Sequence, residues 1–264
     1  VLGALAALSP LPILGRIAGG VLIATACLWR PALVPDGVAR VTILDVGQGL
    51  SVVIETRRHT LVYDAGPSFR TGSDTGQLVV VPFLRSRGIR TVDRVVVSHD
   101  DDDHKGGAGS VLSLMDAHAL TLGPSLQAST FDRGGAQLIR NACRRGEAWS
   151  WDGVDFRWVH PGDVRYQRDN DSSCVLLVSA GGSTALVTGD IEAEAERDMT
   201  RDGALAPVDI VIVPHHGSRT SSTQDFVTAS RPRWAVYAVG YRNRWNFPVQ
   251  RVVERWEQAG ARGV

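Results

Sequence analysis

"SHDDDDHKGG", residues 98–107, follows directly on the apolar run Val95-Val96-Val97. It sets four aspartates between two histidines, in a chain whose 28 Lys+Arg balance 28 Asp+Glu. A run of like charge ordinarily marks a solvated loop. The rest of the chain argues against that reading here. Residue types that ligate metals recur directly after apolar strands: Asp64 after "LVY", His99, Asp101, Asp103 and His104 after "VVVS", Asp190 after "ALVTG", and His215 and His216 after "VIVP". A rigid strand end can aim such a group at a fixed point. Four of the seven histidines fall in two of these clusters, a concentration that scattered core histidines would not produce. His59, His118 and His160 read as structural or surface residues.

Within the loop, the spacing His99-x-Asp101-x-Asp103-His104 lets side chains serve two neighbouring positions. His99 and Asp101 would take one cation, Asp103 and His104 a second. Carboxylates crowded together without a cation repel one another and raise their own pKa values. A pair of divalent ions removes that conflict. Gly106-Gly107 is expected to let the backbone turn tightly into a following helix.

The chain has 264 residues, 44% of them hydrophobic, enough for one sizeable domain with or without an appendage. Zero net charge gives no global attraction to nucleic acid. Lys105 is the only lysine, so 27 of the 28 cations are arginine, a compositional bias that forbids reading each Arg as a phosphate ligand. Cys27, Cys143 and Cys174 are widely spaced with no C-x-x-C pair. They predict neither a disulfide framework nor a thiolate zinc site, only small apolar side chains.

"VLGALAALSPLPILGRIAGGVLIATACLW" (residues 1–29) carries one charge, Arg16, and lacks the layout of a signal peptide. It predicts a transmembrane segment over residues 1–33, as one span or as the end of one helix plus a second starting near Ile13, since Pro10, Pro12 and Arg16 interrupt it. A Pro- and Gly-containing linker follows, assigned to residues 34–40, and then a domain over residues 41–264. The start at Val1 and the end at "EQAGARGV" predict a piece of a longer chain.

"VTILDV", "LSVVIE" and "HTLVYDAG" predict an opening β-meander, and "VDRVVVSHD" a strand buried on both faces. "GQLVVVPFLRSRGI" and "GAGSVLSLMDAH" have helical character, the first capped by Gly88. A second set of strands follows in "FRWVHPG", "SCVLLVSAGG", "STALVTGD", "VDIVIVPHHGS" and "RWAVYAVG", with helices at "IEAEAERDMTRDG" and "RVVERWEQAG". Two similar halves of strands with outer helices predict an α/β fold, an αββα sandwich.

The constellation resembles the metallo-β-lactamase superfamily, whose signature loop is H-x-H-x-D-H; here Asp101 replaces the second histidine. The H-x-D-x-D-H-x-G-G form is similar to the carboxy-terminal domain of the ComEC family of DNA-uptake competence proteins. "LDVGQGLSVVI" (44–54), "LVYDAG" (61–66), "NDSSCVL" (170–176), "LVTGDI" (186–191), "VPHHGSRTSS" (213–222) and "GYRNRWNFP" (240–248) extend the resemblance over residues 40–264, in order. It implies a metallo-β-lactamase-type sandwich preceded by the end of a membrane channel, multi-pass in the full-length protein, in the bacterial inner membrane. It further implies His99, Asp101, Asp103 and His104 as ligands of two divalent metal ions, with Asp190 bridging them. His215 or His216 would complete the set, His215 being preferred, and Asp64 would orient the first loop from behind. Asn170, Asp171 and Ser173 stand where the wider superfamily carries another histidine, which weakens one metal position or opens it to water. Carboxylate-rich ligation makes manganese plausible beside zinc.

The implied activity is metal-dependent hydrolysis of a phosphodiester, with Asp103 orienting the nucleophile, on the non-transported DNA strand during transformation. The implied partners are single-stranded DNA, the membrane and the DNA-uptake machinery. Two rivals stand beside this reading: a phosphoesterase of the choline-phosphate esterase kind, and a non-catalytic gating or docking domain. No aromatic cluster for a quaternary ammonium is evident in the sequence. Trp245 and Arg244 are read either as core or as a nucleotide clamp.

Overall fold

Strands with apolar side chains at every position need a cover on both faces, and that need organises the computed structural model of the chain. It describes residues 1–28, 32–127, 131 and 138–264. In β3 (Thr60–Tyr63) and β5 (Arg94–Val97) successive side chains point to opposite faces. Val62, Val95 and Val97 pack outward against helices, while Leu61, Tyr63 and Val96 pack inward against a second sheet. Burial on both faces leaves no place for a polar residue until the strand ends.

The first sheet joins β1 (Arg40–Ile43), β2 (Val52–Glu55), β3, β5, β7 (Ala119–Leu122) and β8 (Ile139–Ala142) in that order. Its first three strands form the expected antiparallel meander, and the remainder run parallel. A small parallel pair, β4 (Thr91–Val92) with β6 (Asp116–Ala117), lies outside it. The second sheet runs β15 (Arg262–Gly263), β14 (Trp234–Val236), β13 (Ile210–Ile212), β12 (Ser183–Val187), β11 (Val175–Ala180), β10 (Val154–His160) and β9 (Ala148–Trp151). Again an antiparallel meander, β9 to β12, leads into parallel strands, β12 to β15.

Three apolar layers result. Between the sheets lie Ile54, Leu61, Tyr63, Phe156, Trp158 and Leu176. Outside the first sheet, α3 (Val81–Ser86) and α5 (Ala108–Leu114) contribute Leu84 and Val111, with the single turn α4 (Asp102–Lys105) between them. Outside the second, α6 (Ala193–Arg201), α7 (Gln224–Ser230) and α8 (Gln250–Gln258) contribute Met199, Phe226 and Trp256. This is the αββα sandwich.

The chain divides into two units, Val1–Leu33 and Val34–Val264. The apolar stretch is two helices, α1 (Leu2–Leu8) and α2 (Ile13–Leu28), broken at Ser9-Pro10-Leu11-Pro12. Proline at these positions lacks a donor N–H and restricts the residue before it. Among the described residues no helix is long and apolar enough to cross a membrane. Trp29-Arg30-Pro31, where the stretch was expected to end, lies outside the described residues. The two helices approach closely at Gly19, where a Cβ would stand 2.6 Å from the Ala7 nitrogen. Leu2, Leu5, Leu8, Ile13, Leu14, Ile17, Val21 and Leu22 are all exposed.

Two expectations need correction. Cys143, after β8, and Cys174, before β11, form a disulfide with Cα atoms 5.8 Å apart. Their separation of 31 residues hides this, because it is the stacking of two sheets that brings the strand ends together. Gly106-Gly107 makes the expected turn into α5, but with helical dihedrals at both residues, so the turn itself does not require glycine. The reason for glycine is close approach: a Cβ on Gly107 would stand 2.3 Å from the Ala65 carbonyl oxygen.

Replacing both Cys143 and Cys174 by alanine should lower stability by about 4 kcal/mol, the chain-entropy value for a loop of this length. A urea titration of the double variant against the unreduced protein measures it, and an unchanged midpoint would show that the bridge does not form.

Candidate metal centre

Because β3, β5, β12 and β13 all end at one edge of the sandwich, the polar residues that follow them meet there. Cross-links between the turns fix the meeting: the Asp64 amide donates to Val96 O at 2.9 Å, Cys174 N to Ser98 O at 3.1 Å and His215 N to Gly189 O at 3.2 Å. Asp64 is buried and left-handed in backbone, with φ 56°. Its carboxylate accepts from Ser98 N and Ser98 Oγ, both at 2.7 Å, and pairs with His104 Nδ1 at 2.7 Å.

The four aspartates divide by parity. Asp100 pairs outward with Lys105, and Asp102 accepts from Ser68 Oγ at 2.6 Å and Ser68 N at 3.1 Å. Asp103 turns inward, its Oδ2 3.4 Å from His216 Nε2. Asp101 Oδ2 stands 3.6 Å from His99 Nε2, at the open side, with a side chain 52% exposed. Asp101 therefore borders the cluster while Asp103 belongs to it.

The ligand atoms of His99, His104 and Asp190 lie within 4.8 Å of one another, as do those of Asp103, His104 and His216. Asp190 stands between the groups: Oδ1 is 3.0 Å from His104 Nε2 and Oδ2 is 3.5 Å from His216 Nε2. Despite that distance Oδ1 makes no hydrogen bond, and neither does the buried Nε2 of His99. His216, rather than the preferred His215, stands among these groups. Successive left-handed residues, φ 48° at His215 and 56° at His216, turn His216 inward and leave His215 at the rim. There His215 Nδ1 lies 3.2 Å from Glu192 and its Nε2 3.8 Å from Asp190. Ser173 Oγ accepts from the Asp190 amide at 3.2 Å, Asp171 receives the amides of Glu192 and Ala195 at 2.9 and 3.1 Å, and Asn170 lies 3.5 Å from Glu192.

The donor set fits cations. His104 and His216 have Nδ1 engaged, by Asp64 and by the Ala238 carbonyl at 2.7 Å, and His99 Nδ1 lies 2.9 Å from Ser98 Oγ. That pattern leaves each Nε2 lone pair for the centre. Nε2 atoms of His104 and His216 face each other at 3.3 Å, which two unprotonated nitrogens tolerate only with a cation or proton between them. Burial works to lower the His104 pKa, but Asp190 and Asp64 outweigh it and hold it well above the imidazole range. Burial likewise opposes ionisation of Asp190, yet His104 and His216 keep its carboxyl well below the usual value. For Asp103 burial is outweighed by the neighbouring His216 and His104 rings, and for Asp101 the His99 ring, 3.6 Å away, is the leading influence; both are lowered. A cluster built this way binds metal in competition with protons.

Ser98, Glu192, the Ala238 carbonyl and Thr220, whose Oγ1 donates to Glu192 Oε1 at 3.0 Å, were not legible as parts of the site. Ser98 precedes the loop but resembles any strand-end serine, and the others depend on pairing across the fold. His160 is structural as expected: burial holds its pKa down to about 4, and Nε2 donates to the Asp171 carbonyl at 2.7 Å.

A family model described as the metallo-β-lactamase superfamily matches residues 44–240. The chain is 35% identical over 235 residues to competence protein ComA of Neisseria gonorrhoeae, covering 89% of this chain and 32% of that protein. It is 36% identical over 217 residues to recombination protein 2 of Haemophilus influenzae, covering 82% of this chain and 26% of the relative. The chain thus spans about a third or less of these relatives' lengths. Zinc-bound PqqB from Methylobacterium extorquens shares the fold with a TM-score of 0.53 at 13% identity, over 82% of this chain and 85% of that structure.

Asp64→Asn keeps the size but loses an acceptor for His104 Nδ1, and should weaken metal binding about 10- to 100-fold in calorimetric titration. Wild-type affinity would mean that Asp64 does not orient the ligands. A second expectation concerns Glu196, whose carboxylate receives Ser222 N and Thr223 N at 2.5 and 2.7 Å and anchors the segment after the histidines. Burial raises its pKa to about 7 against an ordinary 4.5. The folded state therefore holds the proton more tightly than the unfolded chain, so this group's contribution to stability falls as pH rises from about 4.5 to 7 and is level above. Glu196→Gln should shrink the difference in urea midpoint between those limits.

Proposed function

The chain belongs to the metallo-β-lactamase superfamily, and from that premise we propose that it is the metal-dependent nuclease domain of a DNA-uptake protein. Its homologues include competence proteins. The observation that carries the reading is the convergence of His99, Asp103, His104, Asp190 and His216 from separate strand ends, with His99 Nε2 and Asp190 Oδ1 buried and without hydrogen bonds. Those five residues, with Asp101 at the open side, would hold two divalent ions, manganese or zinc. Ions bound there supply Lewis acidity, lowering the pKa of water and stabilising charge that develops on a phosphodiester.

The chain's own groups do the rest. Asp64 and the Ala238 carbonyl hold the His104 and His216 rings in the tautomer that presents Nε2. Asp103, partly exposed and held ionised, orients the attacking water by accepting a hydrogen bond from it. Asp101 stands beside the opening through which substrate enters. The substrate is single-stranded DNA, the strand that is not transported. The exposed apolar faces of α1 and α2 are the last part of the membrane portion, which is multi-pass in the full-length protein. Exposed apolar surface of that extent calls for lipid or protein cover. The Cys143–Cys174 bridge supports an oxidising compartment, outside the inner membrane, where a strand left behind would be degraded.

Cleavage of labelled single-stranded DNA should require added metal and vanish with a chelator. Manganese should serve at least as well as zinc, since carboxylates share the ligation with imidazoles. Asp103→Ala should lower turnover by about 100-fold or more, while the exposed, distant His118→Ala leaves it unchanged. Wild-type turnover in Asp103→Ala would sink the proposal. Cleavage of a small phosphodiester without any cleavage of DNA would favour the esterase reading.

A further inference from the structure

The segment Gly240–Pro248 carries Tyr241, 88% exposed, and Trp245, 46% exposed, in a domain whose other large aromatic rings are mostly packed inside. Exposed rings of this size on a loop call for a reason. The loop is not loose. Asn243 staples it: its Nδ2 donates to Gly240 O at 3.1 Å and Phe247 O at 2.8 Å, and its Oδ1 accepts from Phe247 N at 2.9 Å. Each end is tied to a neighbour of the metal centre. Gly240 N donates to Gln48 Oε1 at 3.3 Å, and Gln48 lies on the turn whose Leu50 amide binds the Asp103 carbonyl at 3.1 Å. At the other end Val249 N donates to Gly217 O at 2.9 Å, next to His215-His216.

Ring contacts continue from the loop to the centre. Trp245 stacks on Phe247 at 6.5 Å between centroids, and Phe247 meets His215 edge-on at 6.0 Å. Two arginines lie against the exposed rings. Arg244 stands 4.2 Å over Trp245, and Arg242 5.2 Å from the Tyr241 ring centre. The guanidiniums make the patch both aromatic and cationic, which repels a quaternary ammonium and suits an anion that also carries flat rings. This combination is the one that single-stranded nucleic acid uses: bases stack on aromatic faces while cations follow the phosphates.

We infer that Gly240–Pro248 is a stacking platform that holds single-stranded DNA beside the metal centre, with one base on Tyr241, another on the Trp245 face that Arg244 vacates as it turns to a phosphate, and Arg242 on a second phosphate. The inference rests on the nuclease reading for the identity of its ligand, and it concerns binding rather than cleavage. A strand held there by its bases would feed the next phosphodiester past Phe247 and His215. The platform reads no sequence, because every base offers a π face.

The test is binding of a fluorescent thymidine oligonucleotide with phosphorothioate linkages, which resist cleavage, followed by anisotropy on the metal-loaded protein. A second oligonucleotide of the same length lacks its bases and keeps only the backbone. The wild-type protein should bind the intact strand more tightly than the abasic one. Trp245→Ala with Tyr241→Ala should weaken binding of the intact strand about tenfold or more and erase the difference between the two strands. Trp245→Phe should retain much of it. Arg242→Ala with Arg244→Ala should weaken both strands and flatten the dependence on salt. Melting temperatures equal to wild type certify the variants as folded. Equal affinity of the wild-type protein for both strands, or unchanged binding in the double aromatic variant, would overturn the inference. Failure of the nuclease reading is separate: base-dependent binding that Trp245→Ala with Tyr241→Ala abolishes, in a protein that cleaves no DNA with any metal, leaves the platform standing and removes the catalysis.

Discussion

Asp64 is fully buried in the turn after β3, and its carboxylate ties the amide and hydroxyl of Ser98 and the Nδ1 of His104 to one point. A buried charge is tolerated only where hydrogen bonds satisfy it, and here three groups do. The same bonds set the start of the aspartate loop, the tautomer of His104 and, through Ser98, the ring of His99. The central residue of the site is thus positioned by a group that does not itself reach the centre.

The sandwich supplies the rest of the constraint. Each sheet passes from an antiparallel meander to parallel strands, and parallel strands deliver several carboxyl ends to one edge. Helices cover the outer faces, so the strands between can be apolar throughout. The polar residues at their ends then converge without disturbing the core. The Cys143–Cys174 bridge and the Tyr63 hydroxyl, which donates to the Cys174 carbonyl, join the two sheets at that edge. Gly107 serves the same end, since a side chain there would push the aspartate loop away from the turn that carries Asp64.

The aspartate run is an alternation rather than a block of charge. Asp100 and Asp102 are consumed by Lys105 and Ser68 on the outside, which holds the single turn α4 in place. Asp103 faces the histidines, and Asp101 faces the opening. Where the superfamily loop carries a second imidazole, this chain presents an exposed carboxylate. Across the second sheet Ser173 supports the Asp190 backbone from the place where another histidine was absent. The result is a centre with fewer imidazoles and a more open side.

Much of this was readable from the sequence because strand periodicity and residue chemistry are local. The runs Val95-Val96-Val97 and "VIVP" had to be buried strands, so whatever polar residue followed them had to lie at an edge, and the sandwich followed from the order of such runs. Asp64, His99, Asp103, His104 and Asp190 were legible as one set for that reason. What the sequence left open depended on geometry between segments far apart in the chain. Which of His215 and His216 turns inward is decided by two left-handed residues, and neighbouring histidines are alike in composition. That Cys143 meets Cys174 depends on the stacking of two sheets, and that Asp101 lies at the rim depends on where the loop sits against Leu50 and Asp64. The break between α1 and α2 was written in Pro10 and Pro12, whereas the placing of Tyr241 and Trp245 beside the metal centre required Asn243, Gln48 and Gly217 to be brought together. Local pattern determines which residues are buried and which end a strand; only the packed fold decides which of those ends share a point in space.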